Sequence, residues 1–167
     1  MPSFVKTVLF LFSCLPAFVS SGEAQDRKDF GFDFSGKARV IDGDTLYIGS
    51  VKVRIFGIDA PEAGQTCTHE GKSWNCGQEA TFALTYMVSP HWIECKKRGS
   101  AGPGVVLATC YTGPYDVAAK MVSEGWALSL RSASLDYADE ETAARRARKG
   151  VWRGTVVPPW VRRTQHP

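Results

Sequence analysis

The chain has 167 residues, with 20 Lys plus Arg against 17 Asp plus Glu, 44% hydrophobic and 22% charged content. One compact domain fits that length, and so even a mixture excludes a disordered, collagen-like or coiled-coil chain. A formal net charge of +3 is too small to announce a nucleic-acid partner, so any such reading must rest on where the charges sit.

Met1 to Ser20 carries one positive charge, Lys6, followed by the apolar run Val8 to Val19 and the small residues Ser20, Ser21, Gly22 and Ala24. This order predicts a secretory signal peptide over residues 1–24, cleaved between Ser20 and Ala24. The run is short for a bilayer span and Pro16 interrupts it, so a membrane anchor is the weaker alternative. Lipid attachment at Cys14 is a minor one, because bulky Phe12 stands at the processing site and the apolar stretch continues beyond it. No later segment approaches membrane-spanning length. The mature protein is therefore expected to be secreted or periplasmic, with no stable membrane insertion.

Residues 25–36 are polar and rich in Gly and Asp, which predicts a flexible lead-in, with the ordered domain over 37–163. Lys37 to Ile48 has the β-branched and apolar residues of strands, Gly49-Ser50 turns the chain, and Val51 to Phe56 reads as the returning strand. In it Val51, Val53 and Ile55 share one face, which puts Arg54 on the other with Lys52 and Phe56. After the turn Gly57 to Pro61, the spacing of Ala80, Ala83, Leu84 and Met87 predicts a helix over about Gln78 to Val88, ended by Pro90. His91 to Lys97 and Val105 to Tyr111 read as strands about the loop Gly99 to Gly104. A second helix runs from the N-cap Asp116 to Gly125, a short strand covers Trp126 to Leu130, and a third helix covers Leu135 to Lys149. That last helix is acidic at its start and basic at its end, as its dipole favours. The tail around Pro159-Trp160 is expected to lie against the domain through Trp160. Five short strands with three interspersed helices imply an α+β, mainly β, OB-type barrel.

Once Cys14 is removed, four cysteines remain, and an exported chain meets an oxidising compartment. Of the three possible connectivities the spacing favours Cys67–Cys76, across a short polar loop, and Cys95–Cys110, placed symmetrically about a Gly/Pro loop. A four-cysteine zinc site competes with this, but no close Cys-x-x-Cys pair exists.

The chemistry concentrates in the first hairpin and the turn after it. Asp42-Gly43-Asp44-Thr45 precedes Arg54, and Asp59-Ala60-Pro61-Glu62 follows it. With Asp42 and Asp44 on one strand face, a turn at Gly49 brings Arg54 within one residue of facing Asp44, and Asp59 follows at the strand's end. Gathered carboxylates repel unless a cation offsets them, which makes a hard divalent ion held through oxygens, calcium for preference, one reading. The other is that Asp-Gly-Asp is a turn and Arg54 its salt-bridge partner.

From about Lys37 to Arg163 the chain resembles the thermonuclease, or staphylococcal-nuclease-like, family. Val40-Ile41-Asp42-Gly43-Asp44-Thr45-Leu46 looks like the family's first signature, and Arg54-Ile55-Phe56-Gly57-Ile58-Asp59-Ala60-Pro61-Glu62 its second. Gly77-Gln78-Glu79-Ala80, Ala108-Thr109-Cys110-Tyr111, Gly125-Trp126-Ala127, Arg148-Lys149-Gly150-Val151-Trp152 and Pro159-Trp160 match further landmarks in order.

The resemblance implies calcium-dependent hydrolysis of phosphodiester bonds in single-stranded DNA or RNA by an OB barrel, expected to be a monomer. It implies Asp44, Asp59 and the backbone carbonyl of Ala60 as calcium ligands, Glu62 as general base and Arg54 as the phosphate-gripping arginine, with Asp42 and Thr45 in support. The family's second arginine falls on Val105 here, which neither donates a hydrogen bond nor carries charge. Arg98 near the same loop, and Tyr111 and Tyr115 as stacking platforms, complete the expected substrate-binding residues. The alternative is a catalytically impaired accessory or binding protein, as some exported relatives are encoded with exopolysaccharide genes, including those for succinoglycan.

Overall fold

The structure, a computed structural model, describes residues 31–165; the expected signal peptide lies outside them. Ten strands follow in order: β1 Phe34–Val40, β2 Thr45–Ile48, β3 Val51–Ile55, β4 Ile58–Asp59, β5 Cys67–His69, β6 Lys72–Trp74, β7 Trp92–Gly102, β8 Val105–Thr112, β9 Tyr115–Asp116 and β10 Leu128–Ser129. The helices are α1 Cys76–Val88, α2 Val117–Ser123, α3 Ala138–Arg146 and α4 Pro159–Gln165, with a 3-10 turn over Gly150–Arg153.

Antiparallel pairing runs β3-β2-β1-β7-β8, and β3 and β8 then pair in parallel, which closes a five-stranded barrel. The expected α+β OB-type barrel is present, with four α-helices instead of three. The β7–β8 hairpin reaches from one wall to the other because its register shifts twice, between Lys97 and Gly99 and between Ser100 and Gly102. Each shift adds a residue on one side and bends the ribbon, the usual means of turning a barrel corner.

Inside the barrel Leu46, Val53, Ile55, Ile93, Ala108 and the Cys95–Cys110 pair are buried with one face of α1 and of α2. Burial of apolar area at ~25 cal/mol per Å² is the main favourable contribution of such a core. Cys95 stands directly opposite Cys110 in the β7–β8 register and is bonded to it, the expected pair; the two register shifts absorb the extra length of the β7 arm, seven residues from Cys95 to Gly102 against five from Val105 to Cys110. Cys67 is bonded to Cys76, tying the β5–β6 hairpin to the start of α1. Asp116 caps α2 by accepting hydrogen bonds from the Ala118 and Ala119 amides, and its other oxygen accepts from the Tyr137 hydroxyl beside α3.

Two sequence expectations need correction. Phe34 to Gly36 belongs to β1, where it pairs with Cys95 to Ile93, so the expected lead-in overlaps the barrel. The stretch Lys37 to Ile48 divides at residues 41–44 and folds back as the β1–β2 hairpin. It therefore supplies two barrel strands, and Leu128–Ser129 pairs outside the barrel with β4. The cause of the division is local. Asp42 Oδ1 accepts from the Asp44 amide, the Ile41 and Asp42 amides both donate to Thr45 O, and a Cβ on Gly43 would come within 2.6 Å of Ala60 and 2.9 Å of Ala80. The tail forms α4 and lies against the domain through buried Pro159, the side chain of Arg163 and Trp160, which is 37% exposed and lines a cleft with Ser129, Arg131 and Glu141.

Candidate active site

The turn over 41–44 and the β2–β3 register place the first charged group. Thr45 pairs with Arg54, so Asp44, one residue earlier, comes beside the guanidinium at 3.1 Å. Asp44 is 4% exposed and fully engaged: Thr45 Oγ1 donates to its Oδ1 at 2.7 Å, and the Ala60 amide and Arg54 Nη2 donate to its Oδ2. Burial still dominates, with the Asp42 charge adding to it against the opposing pull of Arg54, so the Asp44 carboxyl is pushed up to about 7. Asp42 meets the Asp44 amide and holds the turn.

Asp59 lies on β4, which pairs with β10 through the register Leu128 to Asp59. Glu141 of α3 supports that edge strand from behind: it is 3% exposed, accepts from the Ser129 amide and pairs with Arg131 and Arg145. Asp59 is wholly buried, and Arg54 Nη2 reaches its Oδ1 at 2.7 Å. One guanidinium nitrogen thus links Asp44 and Asp59.

Glu62 is half-buried at the edge of this cluster. Its amide donates to Gln65 Oε1, and its carbonyl accepts from the Gln65 amide at 2.7 Å. The first turn of α1 packs tightly on this bend, since a Cβ on Gly77 would fall 1.7 Å from the Glu62 carbonyl oxygen. Gln65 is fully buried and its Nε2 donates to Val157 O at 2.7 Å, which draws the C-terminal segment to the same place.

That segment brings a residue the sequence reading missed. Arg163 of α4 makes a fork to both oxygens of Asp59, at 3.0 and 2.6 Å, and its Nη1 also donates to Glu62. These hydrogen bonds hold the Arg163 guanidinium protonated more firmly than usual, against the opposing cost of burial. The signal available in sequence was slight: an Arg-Arg pair three residues after Pro159-Trp160, with nothing local to say where it docks.

Val105 occupies the start of β8, opposite Lys52 in the parallel pairing, with Leu107 opposite Arg54. Residues 105 and 107 therefore share the sheet face that carries Arg54. Arg98 stacks on Phe56, 4.6 Å from its ring centre, and forms no ion pair with the carboxylates. Tyr111 packs against Phe32. Tyr115 is 67% exposed and lines a separate cleft of about 650 Å³ with Phe82, Tyr86, Met87 and Trp126. None of Asp44, Asp59 and Glu62 lines that cleft, and volume is a poorer guide to chemistry here than convergent charge.

Among the described residues no group of three or more His, Cys, Asp or Glu side chains is arranged as a metal cage. Asp44 and Asp59 nonetheless are a donor set suited to a hard divalent ion: two buried carboxylates joined through one guanidinium nitrogen, with a third carboxylate nearby. The paired disulfides fit an oxidising compartment, and no described helix is long and apolar enough to cross a membrane.

Comparison with known proteins agrees with this architecture. The family described as "Staphylococcal nuclease homologue" matches residues 52–154. The succinoglycan biosynthesis protein ExoI of Rhizobium meliloti (strain 1021) is 31% identical over 122 residues, covering 71% of this chain. The chain spans 64% of the length of that relative. By the extent of the family match and by its closed five-stranded barrel, the chain belongs to the staphylococcal-nuclease-like family.

Proposed function

We propose that the protein is an exported, calcium-dependent phosphodiester hydrolase acting on single-stranded DNA or RNA. The observation that carries the reading is the convergence of Asp44, Asp59, Glu62 and Arg54 at one edge of the barrel. Asp44, Asp59 and the carbonyl of Ala60 are the groups that would hold calcium, with Asp42 and Thr45 fixing Asp44 in place. Bound there, calcium supplies charge to offset a phosphodiester and its developing oxyanion. Arg54 presents a planar fork to phosphate oxygens, and its pairing with Asp44 and Asp59 presets its orientation. Glu62, the most exposed of the three carboxylates, is placed to take a proton from an attacking water.

The test is cleavage of denatured DNA and of RNA by the mature protein with calcium, with chelator, and with Arg54→Ala. Calcium-dependent cleavage lost in the variant is expected. Absence of cleavage under every ion and pH tried would refute the hydrolase reading.

Val105 and the name of the relative favour one other reading, an accessory or binding protein of exopolysaccharide synthesis with little catalysis. Calcium-supported oligonucleotide binding without turnover, together with a gene neighbourhood of polysaccharide enzymes, would favour it.

A further inference from the structure

Asp59 Oδ1 accepts from two different arginines: Arg54 Nη2 at 2.7 Å and Arg163 Nη1 at 3.0 Å. Those two nitrogens are therefore less than about 6 Å apart, a separation at which both can donate to the oxygens of one phosphate group. Both side chains keep an outer surface, 31% exposed for Arg54 and 38% for Arg163, while Asp59 between them is sealed from solvent. The carboxylate thus acts as a fixed post that aims two guanidinium groups outward. On β8 the two residues nearest Arg54 on its face, Val105 and Leu107, carry no donor.

We propose that Arg163, delivered by α4, is the second phosphate-gripping arginine of this site, filling from the C-terminal segment the role that Val105 cannot fill from β8. The inference rests on the hydrolase or nucleic-acid-binding reading above. Charge supports it. Asp44, Asp59 and Glu62, when ionised, carry three negative charges against two from Arg54 and Arg163, so one divalent cation and one phosphodiester bring the whole set to neutrality. Without Arg163 the same set with its cation is already neutral and offers an anionic substrate no net attraction, whereas with Arg163 it carries one positive charge. Geometry supports it as well, because Nη1 of Arg163 also touches Glu62 and so places the guanidinium beside the group assigned to the attacking water.

The experiment uses the full mature chain and a single-stranded phosphorothioate oligonucleotide, a probe that resists cleavage, with calcium present. Titration calorimetry of calcium alone supplies a second readout, and thermal melts report folding. Arg163→Gln is expected to weaken oligonucleotide binding ~10–100-fold, the loss of a charged hydrogen-bonding group. It should also flatten the dependence of log K on log salt by ~0.7, one phosphate contact on a single strand. Calcium affinity should not fall. Arg163→Lys, which keeps the charge that balances the carboxylates, should keep the salt slope and lose several-fold in affinity with the fork geometry. Adding Val105→Arg to Arg163→Gln should recover most of the lost affinity, since residue 105 shares the Arg54 face.

Binding as tight as wild type, or tighter, in Arg163→Gln would overturn the proposal and make α4 a plug on the site. A parallel fall in calcium affinity would also overturn it and leave Arg163 a structural brace. If Arg163→Gln does not fold, wild-type affinity in Arg163→Lys overturns the fork in its place. Wild-type protein that binds no oligonucleotide removes the functional reading and this assignment together; wild-type binding left unchanged by the substitutions removes this assignment alone.

Discussion

Arg54 and Arg163 reach the same carboxylate by different routes. Arg54 stands five residues before Asp59, on a strand whose partner β2 carries Thr45 opposite it, so hairpin register alone sets its place. Arg163 lies 104 residues beyond Asp59 and arrives on a seven-residue helix attached through Pro159, the Gln65 contact to Val157 and its own ion pairs. The first half of the cluster is built into the barrel wall. The second is docked onto it, and segments held by few buried contacts open at lower free energy than the core. One site therefore combines a rigid half with a half that local unfolding can release.

The predictions that test this contrast begin with the rigid half. Arg54→Ala removes a donor aimed at the phosphate and should lower the cleavage rate ~10²–10³-fold, read on denatured DNA with calcium. A comparable rate in the variant would move the chemistry elsewhere.

Asp44 gives a pH signature. Its carboxyl is raised from 3.8 to about 7, so between those values the folded state keeps a proton that the unfolded chain has released. This stabilisation is complete below about pH 4 and is lost as pH rises through about 7, by at most ~1.4 kcal/mol per pH unit. Thermal melts of metal-free protein should therefore fall across that window, and Asp44→Asn should flatten the slope. Calcium should recover more stability at pH 8 than at pH 5, because at pH 5 it competes with the proton.

Gly77→Ala tests the packing that sets Glu62. A methyl group there overlaps the Glu62 carbonyl and forces the bend away from α1, for ~1–3 kcal/mol of stability by denaturant melt and a displaced general base. The smallest effect belongs to the docked half. Gln65→Ala should cost ~1 kcal/mol globally, yet hydrogen exchange across α4 should accelerate while β1, β2 and β3 stay protected. Equal acceleration throughout would show that the tail and barrel open as one unit.

Local chemistry made much of the molecule legible in advance. The β2–β3 hairpin, the Arg54 face, the Cys95–Cys110 cross-link and the Asp116 cap all follow from spacing within about 15 residues, where strand alternation and a short connecting loop constrain the answer. The first strand was harder. Strand formers flank Asp42-Gly43-Asp44 on both sides, and the Asp42 turn with the crowding of Gly43 against Ala60 and Ala80 shows that the chain reverses there, as the turn reading of Asp-Gly-Asp has it.

By itself the sequence determined the family, the barrel class, the disulfide partners and the carboxylate–arginine pairing of the first hairpin, because each depends on residues near one another along the chain. Tertiary structure alone decided that Asp59 faces a second guanidinium, that Gln65 ties Glu62 to the tail, and that Arg98 rests on Phe56 away from the carboxylates. Those contacts join segments separated by about 40 to 100 residues, and no local periodicity encodes which buried carboxylate a distant arginine will neutralise.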